Sequence, residues 1–259
     1  VPNPDIQEPF VSTYGYFLNR INQKFREEII KRLVELQTTD IKPNKVKVLE
    51  YLDELDPLCE KMGASNTVVK TPEGKLVGYN TDGIGFIRSM ERDGNVKIDE
   101  NIYFCIGSGG AGRAMCSALA YYGAKKIYIT DVFEESSKAL VEDINKNFAP
   151  VAEFCPAGDF SKVKEATVVL NASGIGMGSH IGENPLPKEF ISKDQFYFDA
   201  CYNPAKTQFL LDAEEAGATI LNGLGMSLYQ GAAQIEYWTG QEPPIEAMRQ
   251  KLLDIISEK

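Results

Sequence analysis

Ile102-Tyr-Phe-Cys-Ile106 runs directly into Gly107-Ser-Gly109-Gly-Ala-Gly112-Arg-Ala114 near the middle of the chain. The first run is mostly β-branched and aromatic and predicts a buried strand, and the glycines follow where a strand turns into a helix. In the G-x-G-x-x-G spacing, Gly107 permits the tight turn, Gly109 lets the backbone approach a pyrophosphate, and Gly112 lets helix and strand pack closely. The phosphates would meet the free N–H groups and the positive dipole end of the helix.

A second predicted strand, from Lys126 to Thr130, ends at Asp131. Asp131 follows Gly112 by about the 20 residues expected of a carboxylate that binds the ribose of a dinucleotide. A glycine-rich turn alone is also compatible with a structural loop. The strand before it, the helix after it and the acid at this distance favour dinucleotide binding.

The remainder of this half alternates helices and strands, which predicts a parallel sheet covered on both faces. Helices are predicted over 134–147 and 207–216, and strands over 152–155, 167–170, 195–199 and 218–221. Two last helices, over 226–238 and 244–257, have no strand after them and are expected to return to the first domain.

The N-terminal part predicts a smaller α/β domain. An amphipathic helix covers 23–36, a second begins near Asn44 or Lys45 and includes Leu52, a hairpin spans 66–79, and a helix spans 82–92. We therefore predict a two-domain α/β protein. Residues 1–82 with 223–259 form the substrate-binding domain, and residues 83–222 form the Rossmann-type nucleotide domain.

The composition excludes several classes of function. A net charge of −10 without a basic stripe argues against nucleic acid as a partner, and no apolar run is long enough to span a membrane. The five scattered cysteines predict buried thiols in a cytoplasmic protein. The single histidine, His180, excludes a multi-histidine metal site, so no metal is predicted. A homodimer is compatible with the sequence.

Several motifs resemble the shikimate dehydrogenase family, including its quinate/shikimate branch, from about Pro43 to the C-terminus. Besides the glycine-rich turn, they are Pro43-Asn-Lys45, Gly63-Ala-Ser-Asn66-Thr67, Gly78-Tyr-Asn-Thr-Asp82-Gly83, Asn171-Ala-Ser-Gly-Ile-Gly-Met177, Asp199-Ala-Cys-Tyr202-Asn-Pro204, and Gly223-Leu-Gly-Met226 through Gln230-Gly231 to Trp238-Thr-Gly240. The resemblance implies an oxidoreductase of aromatic amino acid biosynthesis that interconverts a hydroxyl and a ketone on a cyclohexane carboxylic acid.

The resemblance also implies roles for single residues. Lys45 would stabilise the alkoxide-like oxygen and relay its proton, and Asp82 would orient the ammonium group. From spacing alone Lys45 is a solvated lysine in the first turn of a helix. Asn66 and Gln230 would bind substrate hydroxyls, and Tyr202 would line the cleft. The alternatives are a plain turn residue for Asn66, a solvated helix residue for Gln230 and an edge aromatic for Tyr202.

The predicted cofactor-binding residues lie in the glycine-rich turn and at the ends of the later predicted strands. They are Gly107, Ser108, Gly109, Gly110, Ala111, Gly112, Asp131, Asn171, Ala172, Gly223 and Met226. Gly223 and Met226 would lie against the nicotinamide, although Met226 is equally compatible with core packing. NAD is the predicted cofactor, because Asp131-Val-Phe133 stands where NADP-using family members have Asn-Arg-Thr, and no basic residue is present to pair a 2′-phosphate.

The sequence departs from the family in two places. The family's first strand and its Ser-x-Ser-Pro loop, which holds the substrate carboxylate, are not found, which is compatible with a natural chain that extends upstream of Val1. The family's Asn-x-Thr-x-Pro-x-Lys reads Thr39-Asp-Ile-Lys42-Pro-Asn-Lys45 here. These departures keep open one alternative, a nucleotide-binding homologue with impaired catalysis that serves in sensing or assembly. A folate-type dehydrogenase with a similar layout is a further alternative, over which the motifs at Asp82 and Tyr202 favour the shikimate group.

Overall fold

The computed structural model describes Leu49 and residues 52–257. The predicted helix over 23–36 therefore lies outside the described residues, as does Lys45. The second predicted helix is described only at its end, where Leu49 lies in a 3₁₀ turn and Leu52 is not helical.

A six-stranded parallel sheet forms the larger part of the fold, with the order β6-β5-β4-β7-β8-β9. Its strands are β4 (Ile102–Ile106), β5 (Lys126–Thr130), β6 (Ala152–Phe154), β7 (Val168–Asn171), β8 (Phe196–Asp199) and β9 (Thr219–Asn222). Counted from β4, this is the 3-2-1-4-5-6 order of dinucleotide-binding folds. The predicted α/β class and the six predicted strands are confirmed, and six of the twelve strand ends differ by one residue from the prediction.

Side chains alternate between the two faces of this sheet, and helices cover both. On one face Tyr103 and Cys105 belong to a core that includes Phe86, Met115 and Leu140; on the other, Phe104 and Ile106 pack in a core with Phe209. The helices of the nucleotide-binding part are α3 (Gly110–Tyr121), α4 (Glu134–Asn147) and α5 (Gln208–Glu215). The prediction of a sheet buried on both sides is confirmed.

A three-stranded sheet, ordered β1-β3-β2, precedes the large one. Its strands are β1 (Glu54–Leu55), β2 (Thr67–Lys70) and β3 (Leu76–Tyr79), and the predicted hairpin is the antiparallel β2–β3 pair. The sequence reading missed β1 and the short helix α1 (Pro57–Met62). Asp56 caps α1 by accepting hydrogen bonds from the N–H groups of Leu58 and Cys59, and Pro57 occupies its first turn.

Helix α2 (Thr81–Arg92) connects the two sheets and packs against α3 and α6 (Leu224–Thr239). Gly85 permits the contact with α6, since a Cβ there would lie 2.6 Å from the carbonyl oxygen of Met226 and 2.7 Å from the backbone nitrogen of Gln230. Arg88 and Glu236 join the two helices by a bidentate ion pair of 3.0 and 2.7 Å. The part-buried guanidinium and carboxylate therefore fix α6 beside α2.

Of the last two helices, α6 packs against the small sheet and the last helix packs against α6. The indole of Trp238 on α6 donates to the carbonyl oxygen of Val68 on β2 at 3.0 Å. Helix α7 (Ile245–Ser257) is held through Arg249, which pairs with Asp93 at 3.0 Å and hydrogen-bonds the Tyr229 hydroxyl at 3.1 Å. The division at residues 82/83 and 222/223 stays a prediction.

The thiols of the described residues are all buried and free, as the sequence predicts. Burial raises the pKa of Cys155 to about 11 and that of Cys59 to about 11. Thiolates are scarce at such pKa values near neutral pH, so these cysteines act as small apolar residues. No helix in the described ranges is long and apolar enough to cross a membrane.

Candidate active site

The glycine-rich turn has the geometry that its spacing predicts. Gly107 has φ +107°, and a Cβ there would lie 2.6 Å from the backbone of Ala172 and Ser173. A side chain at Gly112 would collide with the carbonyl oxygen of Gly107. Gly109 precedes α3 with open space at its Cβ position, and no side chain caps the helix. The first N–H groups of α3 are therefore open to a bound phosphate.

Asp131, at the end of β5, is hydrogen-bonded to the same turn. Its Oδ2 accepts from the N–H of Ser108 at 2.6 Å and from the Ser108 hydroxyl at 2.8 Å, while Oδ1 accepts from the N–H of Phe133 at 2.9 Å. These bonds fix the carboxylate at the mouth of the glycine-rich turn. They also leave fewer of its lone pairs for a ribose than a free carboxylate would have.

A cavity of about 450 Å³ opens at the carboxyl ends of the central strands. It is lined by Ile106, Gly107, Gly109, Thr130, Asp131, Val132, Phe133, Ala157, Gly158, Phe160, Ala172, Ser173, Ile175, His180 and Pro185. This is the switch point between β4 and β7, where α/β sheets of this kind bind nucleotides. Four residues predicted to bind the cofactor thus line one cleft: Gly107, Gly109, Asp131 and Ala172.

Asn171, predicted to bind the cofactor, is fully buried and shapes the loop after β7. Its Oδ1 accepts from the Ser173 hydroxyl at 2.6 Å, and its Nδ2 donates to the carbonyl oxygen of Ile175 at 3.0 Å and to Asp199 at 3.1 Å. Burial raises the pKa of Asp199, and hydrogen bonds from Thr207, Cys201 and Asn171 lower it. These bonds hold the loop that forms one wall of the cleft.

His180 lies in that loop, half exposed, with Nδ1 3.0 Å from the carboxylate of Glu183. His180 also lines the cavity at the carboxyl ends of the central strands. Within the described residues, no group of histidine, cysteine and acidic side chains could hold a metal ion.

A second polar cluster lies at the N-terminus of α2, beside the small sheet. Asn80 caps the helix by accepting from the N–H of Gly83 at 3.1 Å, and Oδ1 of Asn66 accepts from the N–H of Thr81 at 2.8 Å. Asp82 follows in the first turn. Burial raises its pKa, and a hydrogen bond with the Asn66 side chain lowers it. Asn66 and Asp82 therefore both lie at the start of α2, and their roles toward a substrate stay predictions.

The sequence reading missed Gln234 of α6, which is 6% exposed and donates to both Thr67 and Thr81. The sequence does indicate such a residue. Gln234 follows Gln230 by one helical turn, and a glutamine among apolar residues needs buried hydrogen-bond partners. The side chain of Gln230 makes no hydrogen bond to another described residue.

The other predicted residues on this side lie at the junction of the two sheets. Gly223 precedes α6, its N–H donates to Cys201, and a side chain there would collide with the carbonyl of Ala200. Met226 is buried in the apolar core, whereas Tyr202 is 37% exposed after β8.

Comparisons with known proteins extend these observations. The family model described as the shikimate 5'-dehydrogenase C-terminal domain matches residues 223–253. A curated "Shikimate dehydrogenase (NADP(+))" of Bacillus cereus strain B4264 is 38% identical over 216 residues, which is 82% of this chain and 76% of the relative. The chain belongs to the shikimate dehydrogenase family. It is accordingly an oxidoreductase of the shikimate/quinate type that binds a nicotinamide nucleotide.

Two solved members of the shikimate dehydrogenase family have similar structures. Shikimate 5-dehydrogenase from Listeria monocytogenes, in complex with shikimate and NAD, is 36% identical with a TM-score of 0.76, over 82% of this chain and 75% of that one. Quinate dehydrogenase from Corynebacterium glutamicum, in complex with NAD, is 32% identical with a TM-score of 0.75, over 83% and 76%. The predicted family and its two-domain α/β fold are thus confirmed.

Proposed function

We propose that this protein oxidises a ring hydroxyl of shikimate, quinate or a related cyclohexane carboxylic acid with NAD, and catalyses the reverse reduction. The observation that carries the proposal is the position of Asn66 and Asp82 at the start of α2. Asn66 accepts from the N–H of Thr81 there, and Gly83 packs against Ala114 of the helix that follows the glycine-rich turn. The relatives are named as shikimate and quinate dehydrogenases, which gives no support to the alternative of an impaired catalyst.

The turn residues fit a dinucleotide, because Gly107 and Gly112 leave no room for a Cβ and Gly109 keeps the approach to α3 open. When bound, the nicotinamide ring supplies the hydride acceptor. In this proposal the N–H groups of α3 bind the pyrophosphate, and Asp131 accepts from a ribose hydroxyl with the capacity that Ser108 and Phe133 leave free.

Asp82 would act as an ionised carboxylate that orients the proton-relaying Lys45 and accepts from a ring hydroxyl. Within the described part of the chain, Asn66 is the side chain that favours this ionised form, while burial opposes it. The proposal assigns substrate hydroxyls to Asn66 and Gln230 and a wall of the cleft to Tyr202. Lys45 lies outside the described residues, so its role rests on the family motif.

NAD preference is part of the proposal, although the Bacillus cereus relative is named for NADP(+). The run Asp131-Val132-Phe133 places a carboxylate and two exposed apolar side chains at the cavity, and its lining residues include no lysine or arginine. A 2′-phosphate would therefore find no fixed cation there and would face a like charge. Cytoplasmic location and homodimer formation stay predictions.

The experiment compares the unmodified protein with Asp82→Asn, an isosteric change that removes the charge. We expect turnover of shikimate or quinate by the unmodified protein and a loss of about 100-fold in kcat for the variant. Asp99→Asn, at an exposed site far along the chain from this cluster, is the matched control and should retain activity. Equal kcat for Asp82→Asn and the unmodified protein would remove Asp82 from the mechanism.

A further inference from the structure

The loop that follows β7, residues 172–187, forms one wall of the nucleotide cavity. Among its residues that line the cavity, His180 and Pro185 lie farthest from β7 along the chain. Asn171 holds the start of the loop through its bonds to Ser173 and Ile175. A long irregular segment costs conformational entropy to keep in one place, so its far end needs an anchor of its own.

Asp212 of α5 provides the anchor at the far end. Its Oδ2 accepts from Nδ2 of Asn184 at 2.7 Å. Its Oδ1 accepts from Nε2 of Gln208 at 2.6 Å and pairs with Nζ of Lys188 at 2.9 Å. The Asp212 side chain is only 3% exposed, and a carboxylate so deeply buried depends on such donors. Burial raises the pKa of Asp212, but the donors lower it by more, so the carboxylate is ionised near neutral pH.

Asn184 connects this anchor to the cavity wall. Its Oδ1 accepts from the N–H of Leu186 at 2.9 Å, which closes a turn around Pro185. The backbone N–H can only donate and the ionised carboxylate can only accept, so the Asn184 amide has one possible orientation. Leu186 is fully buried in the core that includes Phe209. Pro185 therefore lines the cavity between two residues that are held in place.

Glu183 extends the anchor from Asn184 to His180. Its N–H donates to the carbonyl oxygen of His180 at 3.1 Å, and its carboxylate lies 3.0 Å from Nδ1 of the same residue. Because Glu183 directly precedes Asn184, a displacement of Asn184 would move both His180 and Pro185 in the wall.

We infer that Asp212 is a positioning residue for the nucleotide, which acts through Asn184 to keep the far part of this loop in the cavity wall. Asp212 itself is not among the residues that line the cavity. A wall that is formed in advance spares the nucleotide the entropy cost of ordering it, which raises affinity. The inference rests on the proposed nucleotide site and requires neither the proposed substrate nor the proposed catalytic residues.

The test is Asn184→Asp, an isosteric change that replaces the donor to Asp212 by an acceptor. The new carboxylate can still accept from the N–H of Leu186, but it opposes Asp212 at hydrogen-bond distance, so the loop should separate from α5. We expect the Kd for NADH, measured by NADH fluorescence without substrate and with NADPH in parallel, to rise by about tenfold. An unchanged Kd would overturn the inference.

Asn145→Asp is the matched control, because Asn145 has the same arrangement at a place outside the cavity lining. Its Oδ1 accepts from the N–H of Ala152 at 2.9 Å and its Nδ2 donates to the carbonyl oxygen of Ala152 at 2.9 Å. This variant should lower Tm and leave the Kd for NADH unchanged. An equal rise of Kd in both variants would show a general loss of stability and overturn the inference.

A double variant, Asn184→Asp with Asp212→Asn, exchanges the donor and the acceptor at the same net charge. The new amide can donate to position 184 while its oxygen accepts from Gln208 and Lys188, so each contact again has one donor and one acceptor. The Kd for NADH should return to within about twofold of the unmodified value. A double variant that binds NADH as weakly as Asn184→Asp would overturn the inference.

Asn184→Ala keeps the test available if two opposed carboxylates prevent folding. It removes the bond to Asp212 without adding a charge, and the Kd for NADH should rise in the same direction. An unchanged Kd in a folded Asn184→Ala variant would contradict the inference.

Steady-state kinetics separate positioning from loss of folded enzyme. Well below Tm, Asn184→Asp should raise KM for the nucleotide, while kcat at saturating nucleotide should stay within a few-fold of the unmodified value. A lower kcat with an unchanged KM would show a purely structural role. An unmodified protein that binds NADH without turning over a polyol acid would contradict the proposed function and leave the comparison of Kd values intact.

Discussion

Cofactor choice offers a quantitative prediction, because the proposed ribose site would set the Asp131 carboxylate against a 2′-phosphate. Two unit charges 4 Å apart interact by about 4 kcal/mol at an effective dielectric constant of about 20. Salt screening and the partial exposure of Asp131 reduce this cost. We therefore expect kcat/KM for NAD to exceed that for NADP by roughly 100-fold, where 1.4 kcal/mol corresponds to a factor of ten.

The perturbation is Asp131→Asn combined with Val132→Arg. Val132 is 78% exposed at the cavity, so an arginine there has room to reach a phosphate. In the unmodified protein, one carboxylate oxygen of Asp131 accepts from Ser108 and the other accepts from the N–H of Phe133. Asparagine replaces one of these oxygens by an NH₂ group, which cannot accept a hydrogen bond, so one of these contacts is lost. Asp131→Asn alone should therefore weaken NAD use as well, and only the double variant should gain with NADP.

The assay measures kcat/KM for each cofactor at saturating polyol acid and at two salt concentrations. The preference should narrow to tenfold or less, or reverse, in the double variant. Asp194→Asn, at an exposed position outside the cavity lining, is the control and should keep the original ratio. Equal efficiency with NAD and NADP in the unmodified protein would refute this explanation of the ribose site.

Three further predictions concern single side chains. Gly112→Ala should weaken NAD binding by tenfold or more, because the methyl group collides with the Gly107 carbonyl; unaltered affinity by fluorescence titration would argue against the turn geometry. Lys45→Ala should lower kcat far more than it raises KM, and turnover within a few-fold of the unmodified protein would exclude a catalytic role. Asn66→Ala and Gln230→Ala should mainly raise KM, because each variant loses about 0.5–1.5 kcal/mol of substrate-binding free energy for each neutral hydrogen bond removed. An unchanged KM in both variants would contradict substrate contact.

The sequence was most informative where backbone geometry admits few residues. The strand Ile102–Ile106 and the helix after it were predictable, since Gly107 has a positive φ and Gly112 contacts backbone directly. Such steric demands appear as fixed spacings in a sequence. The helix over 134–147 was predicted with the bounds that the structure shows, because its apolar positions repeat at helical spacing.

Contacts between distant residues were not predictable in the same way. Asp131 was predicted to bind a ribose, and it also accepts hydrogen bonds from Ser108 and from the N–H of Phe133. The spacing of these residues in the sequence does not indicate which of these groups the carboxylate binds. Strand β1 has only two residues, too few for an alternating pattern. The hydrogen bonds of Gln234 were not predicted, because its partners Thr67 and Thr81 lie far away in the sequence. The packing of α6 on α2 brings them into contact.

We propose above that this family member catalyses reversible oxidation of a cyclohexane polyol acid with NAD. The most direct measurement follows NADH absorbance after addition of shikimate or quinate, and its reversal on addition of the matching dehydro-acid, with NADP in parallel. We expect polyol-dependent formation of NADH, and far slower reduction of NADP under the same conditions. Nucleotide binding without turnover of either acid, by either cofactor and in both directions, would contradict it.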